Sequence, residues 1–242
     1  MALDALSSEP FYIELVGLPG AGKSTMANSL TSRLDGSNIR YSNPIARVND
    51  MPALRRIPTK FGYSVLYSLS HPIWSSRSII SLQLPDLVTS PETRSVALNW
   101  LFVNGVRQWS RYASDMVILD QGPLQAYWSA LLSEDPRFRR VFDLILEEQY
   151  RSGRTLLVEV TASPDILRRR LAEREPRASR IRPDLAEGYT LERGLRAFSE
   201  LRNRIELLIE DGYPITHISI RNETLTDLDR NVDCILNNTP IG

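Results

Sequence analysis

The chain is predicted to fold as an α/β domain, a parallel sheet with helices on both faces. Two patterns predict this class. Short apolar runs, among them Phe11–Val16 and Met116–Leu119, recur between longer stretches of helical spacing, and a glycine-rich turn joins the first run directly to the first helix. Size agrees: 242 residues, 42% hydrophobic and 24% charged, are enough for one sizeable core. No internal repeat or low-complexity linker divides the chain, so 1–242 is read as one domain.

Taken in order, Phe11–Val16 is a buried strand that ends in Gly17-Leu18-Pro19-Gly20-Ala21-Gly22, too glycine-rich for helix or strand. Lys23–Leu34 follows with Met26, Leu30 and Leu34 on one helical face, and Asp35-Gly36 stops it. A second short strand lies near 39–41. The stretch 43–114 reads as a helical, irregular insert broken by Pro52, Pro58, Pro72, Pro85 and Pro91. Its clearest helix runs over about 92–112, capped by Ser90 ahead of Pro91. Met116–Leu119 is a strand ending in Asp120, and Gly122-Pro123 opens a helix with Tyr127 and Trp128. Helical spacing returns over 133–151, a fourth strand over 155–160, and a helix start at Ser163-Pro164-Asp165. A long amphipathic helix over Leu191–Glu210, a strand over 214–220 and a helix over 224–237 complete the order.

Composition excludes several classes. Twenty-nine basic and twenty-nine acidic residues cancel, so no long-range pull toward nucleic acid or an anionic membrane is expected. Cys234 is the single cysteine and there are two histidines, which rules out an internal disulfide and a zinc cluster. No apolar run approaches the ~18 residues of a membrane span. The opening decapeptide carries Asp4 and Glu9 where a secretory signal has a basic and then an apolar region. A soluble, cytoplasmic protein is expected.

Gly17 to Ser24 fits G-x-x-x-x-G-K-[ST] at every fixed position, between a strand and a helix. Glycines let successive N–H groups turn inward around phosphate oxygens, and the helix beginning at Lys23 adds its positive end. Only Lys23 and Lys60 among the 29 basic residues are lysine. A compact ammonium at position 23 can reach β- and γ-phosphates where the broad arginine fork does so less well. Ser24 is the expected Mg²⁺ ligand, and Thr25 is placed for the α-phosphate. The pattern predicts binding of a nucleoside triphosphate.

Asp120, at the C-terminal end of a parallel strand, falls where open α/β sheets bind ligands. It would hold Mg²⁺ or accept a proton from an attacking hydroxyl; the competing reading is a cap for the helix at Gly122-Pro123. Glu14 and Glu159 are acids within apolar runs and need partners. Glu159 is read either as lying near the metal or as half of a salt bridge. Arg168, Arg169, Arg170, Arg174, Arg177, Arg180 and Arg182 fall within fifteen residues, broken by Pro176. A mobile arginine segment can close over a triphosphate.

Gly17 to Thr25, Val117 to Asp120 and Arg170-Leu-Ala-Glu-Arg174 resemble the phosphate loop, strand-three acid and lid of the P-loop small-molecule kinases. Asn99 through Arg107 to Asp120-Gln121 is similar to thymidylate kinases in particular. The resemblance implies a three-layer α/β/α sandwich, sheet order 2-3-1-4-5, a helical substrate-binding insert over 43–114 and a lid over 174–186. It implies ATP and Mg²⁺ as cofactors and a small-molecule acceptor, and leaves a homodimer open. On the same carry-over Arg170 lies against adenine, Arg174 reaches the phosphates, the Arg221-Asn222 loop borders the base, and Arg107 binds substrate phosphate.

Two departures keep the acceptor open. Asp120-Gln121 replaces the Asp-Arg of thymidylate kinases, and the Glu-Arg-Ser of nucleoside kinases is missing. Arg47, Arg107 and Gln121 are the substrate candidates, since an arginine can pair with an anionic acceptor. Trp74, Trp100, Phe102 and Trp109 are expected in the core. The leading expectation is an ATP-dependent kinase. The alternative is a nucleotide-dependent switch or ATPase regulator acting on a protein partner, against which stands the absence of a guanine-selecting Asn-Lys-x-Asp.

Overall fold

Five strands pair side by side, all parallel, in the order β2-β3-β1-β4-β5. The computed structural model describes residues 10–72, 90–110, 115–133, 136–151, 153–173, 181 and 189–240. The strands are β1 (Phe11–Val16), β2 (Tyr41–Ser42), β3 (Met116–Leu119), β4 (Thr155–Thr161) and β5 (Ile215–Arg221). The described helices are α1 (Lys23–Leu34), α2 (Pro44–Asn49), α3 (Ala53–Ser70), α4 (Pro91–Ser110), α5 (Pro123–Ser133), α6 (Pro136–Tyr150), α7 (Pro164–Ala172), α8 (Leu191–Glu210) and α9 (Leu225–Asn237). The strand order is the one the resemblance implies.

β1 is central and covered on both faces, which is why it reads as an almost unbroken apolar run. α1 and α5 both pack on β1, α8 and α9 both pack on β5, α1 touches α9, and α5 touches α8. The helices therefore form two layers with the sheet between them. Register fixes what gathers at one edge. Val16 pairs with Glu159 and Thr161 with Arg221, so the chain leaves β1, β3, β4 and β5 on the same side.

Local signals set several element ends. Ser90 Oγ accepts from Thr93 N at 3.2 Å and starts α4. Asn43 caps α2 ahead of Pro44, and a capping box between Thr224 and Asp227 starts α9. Over its described residues, 43–72 and 90–110, the insert is more regular than its prolines suggested. α3 runs through Pro58 for eighteen residues. A proline in the second turn forgoes one backbone bond, and the packing of α3 on α4 and α2 holds the helix regardless. Trp100 and Phe102 are buried as expected, Trp109 is 39% exposed and so outside the core, and Trp74 lies outside the described residues. No described helix is long and apolar enough to cross a membrane.

Candidate active site

The turn after β1 wraps tightly because its glycines are held against backbone. A Cβ on Gly17 would stand 2.3 Å from the Val160 carbonyl oxygen of β4. Gly22 has φ +97°, and a Cβ there would meet Asn222 Nδ2 at 2.2 Å. Side chains from distant segments clamp the loop. Gln125 Oε1 on α5 accepts from Gly17 N (3.1 Å), Asn222 Nδ2 donates to Ala21 O (2.9 Å), and Arg170 Nη1 donates to Gly20 O (3.1 Å). Arg170 also donates to Asn222 O and Glu223 O, so one guanidinium ties α7, the loop and the end of β5 together.

Lys23 Nζ donates to Gly17 O at 2.6 Å and to Leu18 O at 3.1 Å, which holds the ammonium at the mouth of the loop. Ser24 Oγ lies 3.5 Å from Asp120 Oδ2. Asp120 is 4% exposed, and its Oδ1 has no hydrogen-bond partner among the described residues. Burial pushes the Asp120 carboxyl up from its usual range; Lys23 and the Ser24 hydroxyl oppose that rise, while Asp50 adds to it. A buried carboxylate oxygen without a partner beside a serine hydroxyl fits a hard cation. No cluster of three or more His, Cys, Asp or Glu stands ready for a metal among the described residues. A cation here would therefore complete its shell with phosphate oxygens and water.

Beside the loop, Gly20, Gly22, Thr25, Arg170, Asn222 and Leu228 help line a cavity of about 450 Å³, within the range of small-molecule sites. The phosphate loop, Asp120 and this cavity thus share the C-terminal edge of the sheet. Gln125 is a loop anchor that sequence reasoning missed, and Asn222, expected to border the base, is a loop anchor as well. An amide side chain near the start of an otherwise largely apolar helix was the only signal for Gln125.

Other expected site residues lie elsewhere. Arg107 is 2% exposed and is not at this edge. Its Nε donates to Gln149 O (3.1 Å), Nη2 donates to Thr155 Oγ1 (2.9 Å), and Nη1 stands 3.9 Å from Glu14 Oε2. The guanidinium also sits over the rings of Tyr12 and Tyr150. Tyr12 and Thr155 belong to the starts of β1 and β4, so the described contacts of Arg107 are those of a buried cation held within the fold. Glu14 is its partner, and takes further hydrogen bonds from Leu124 N and the Tyr150 hydroxyl.

Arg47 is exposed on α2, and Gln121 is exposed at the end of β3. Arg221 is mostly exposed and pairs with Glu223 at 2.7 Å. Arg170 lines the cavity, and three of its hydrogen bonds go to backbone carbonyls. Glu159 proves to be a salt-bridge residue, taking Arg202 of α8 through both carboxylate oxygens and His217 Nε2 at 3.5 Å. Arg174 and all of the expected lid over 174–186 except Ile181 lie outside the described residues. Lys60 on α3, which no motif marked, is half-buried: burial and then Arg56 lower its pKa, and Asp120 acts in the opposite direction.

No protein-family model matches the chain, and no curated protein matches it. Among solved structures, a deoxyadenosine kinase from M. mycoides is similar at 12% identity and TM-score 0.49, over 93% of this chain and 97% of that one. A thymidylate kinase from Candida albicans is similar at 14% identity and TM-score 0.48, over 96% and 93%. With TM-scores below 0.5, neither likeness carries an argument about what this chain does. Strand order and loop geometry stand on their own.

Proposed function

We propose that this chain is a single-domain cytoplasmic kinase that moves the γ-phosphoryl group of ATP to a hydroxyl or phosphate of a small molecule. One observation carries the reading: Lys23 and Ser24 of the phosphate loop converge on a buried carboxylate, Asp120, at the ligand-binding edge of a parallel sheet. Loop N–H groups and the start of α1 cradle the phosphates, and Lys23 swings from the Gly17 and Leu18 carbonyls to the β- and γ-oxygens. The cavity bordered by Arg170 and Asn222 takes the base.

Ser24 and Asp120 would hold Mg²⁺, which when bound offsets charge on the phosphate oxygens. The acceptor oxygen bonds to the γ-phosphorus as the bond to the β–γ bridging oxygen breaks, releasing ADP. Where the acceptor is a hydroxyl, its proton goes to a carboxylate oxygen of Asp120. The test is transfer of label from γ-labelled ATP into a pool of small metabolites. A labelled product that requires both protein and acceptor supports the reading. Hydrolysis that no acceptor accelerates counts against a kinase and favours a nucleotide switch.

A further inference from the structure

Residues 120–125 begin with the buried carboxylate of the site and end with an amide that holds its loop. Asp120 follows β3, and Gln125 lies in the first turn of α5. Two hydrogen bonds fasten that turn to β1 and its end. Leu124 N donates to Glu14 Oε1 at 2.8 Å, and Gly17 N donates to Gln125 Oε1 at 3.1 Å. Contact between them is close, since a Cβ on Gly122 would stand 2.2 Å from Glu14 Cδ. Gly17 is held on three sides. Its N–H goes to Gln125, its carbonyl takes Lys23 Nζ at 2.6 Å, and it lies against the Val160 carbonyl with no room for a side chain.

Gln125 is 7% exposed, where an amide is costly unless it is hydrogen-bonded. β1 and β3 are neighbours in the sheet, so the loop after β1 and Asp120 after β3 can shift against each other only through the turns that follow the two strands. The Gln125–Gly17 bond joins those turns. We infer that Gln125 is a positioning residue, which by holding Gly17 fixes Lys23 and Ser24 of the loop against Asp120 before the nucleotide arrives. This rests on the kinase reading and adds to it a residue outside the phosphate-loop motif on which binding of the donor's β- and γ-phosphates depends. A loop already held in its bound shape loses less freedom when the phosphates dock. The same bond removes Gly17 N from the N–H groups open to phosphate.

Amide exchange, followed residue by residue by NMR, tests this on the unmodified chain. The Gly17 amide should be protected without nucleotide and change by less than about twofold on adding ADP with Mg²⁺, while amides of residues 20–25 slow by about tenfold or more. A Gly17 amide that exchanges freely and slows only with ADP overturns the inference, because phosphate and not Gln125 would then be its acceptor.

Gln125→Met keeps the length of the side chain and removes the acceptor. It should speed Gly17 exchange and weaken ADP by about five- to hundredfold in calorimetry, with a smaller gain in affinity from Mg²⁺. AMP, which lacks the phosphates that Lys23 reaches, should bind as before. Equal losses for ADP and AMP would make Gln125 merely structural, and an unchanged gain from Mg²⁺ would show that Asp120 keeps its place without it; either result sinks the inference. Gln125→Glu retains an acceptor oxygen and should restore slow exchange at Gly17; failure to do so counts against the bond as the source of protection. Should a variant fold poorly, exchange on the unmodified chain decides. The kinase reading is judged separately: a chain that binds ADP but labels no acceptor refutes transfer, and the hold on Gly17 still stands or falls on the exchange data.

Discussion

Replacing Arg107 with Met should unfold the protein more readily and leave its catalytic parameters alone. The guanidinium donates two hydrogen bonds, to Gln149 O at 3.1 Å and Thr155 Oγ1 at 2.9 Å, packs on two tyrosine rings, and faces Glu14 at 3.9 Å. Methionine keeps the stem but leaves Glu14 buried beside an apolar group. Removing one member of a buried ion pair costs about 3–5 kcal/mol, a large share of a domain's stability. For a chain of this size that is a fall in Tm of roughly 6–20 °C.

The loss should depend on pH. Burial already raises the Glu14 carboxyl, and Arg107 is the largest opposing influence, so the variant raises it further. A carboxyl whose folded pKa lies above its unfolded value contributes stability that is present below the unfolded value and lost as pH rises through the folded one. The deficit of the variant should therefore shrink as pH falls toward the ordinary carboxylate range and Glu14 takes a proton. Adding Glu14→Gln should recover part of the loss, because no buried charge then stands alone. Urea unfolding followed by tryptophan fluorescence gives each value. A loss under about 1 kcal/mol together with a raised acceptor KM would refute the reasoning and return Arg107 to the substrate site.

Three further outcomes are expected. Lys23→Ala should lower transfer by at least about a hundredfold at saturating ATP with the unfolding midpoint nearly unchanged, since the side chain contacts loop carbonyls and not the core; wild-type turnover would show that the loop is not the active site. Asp120→Asn should cut kcat by about a hundredfold or more with a smaller change in ATP affinity, measured by steady-state kinetics and calorimetry; unchanged turnover with lower thermal stability would make Asp120 a helix cap. Gly22→Ala places a Cβ against Asn222 at φ +97° and should break the Asn222–Ala21 bond, with a loss of about 1–3 kcal/mol and at least tenfold weaker ATP binding; unaltered ATP binding would show that Asn222 does not shape the loop.

Much of this protein is legible along the chain because its causes are local. β1, the phosphate loop and α1 are contiguous: the apolar run, glycine turn and helical spacing each act within a few residues, and Lys23–Leu34 emerges with the bounds its periodicity predicts. Asp120 is readable for the same reason, as the residue that ends an apolar strand. The insert is different. Arg107 and Lys60 are both cations on helices of that insert, and nothing near either one in the sequence says which is fully buried among tyrosines and which stays half in water.

Packing makes that choice. α4 is twenty residues long, about 30 Å at 1.5 Å per residue, so side chains along it meet different parts of the fold. Phe102 stands beside Lys60, while Arg107, about one and a half turns further along, lies by the starts of β1 and β4. The rotation of α3 about its own axis, set by its contacts with α4, turns Lys60 inward and Leu54 outward against the hydrophobic pattern. Gln125 and Asn222 likewise become loop anchors only because parallel pairing brings α5 and the end of β5 to the turn after β1. A side chain's type is written at its own position, but the direction it faces depends on how helices pack across the sheet, and those contacts join residues far apart in the chain.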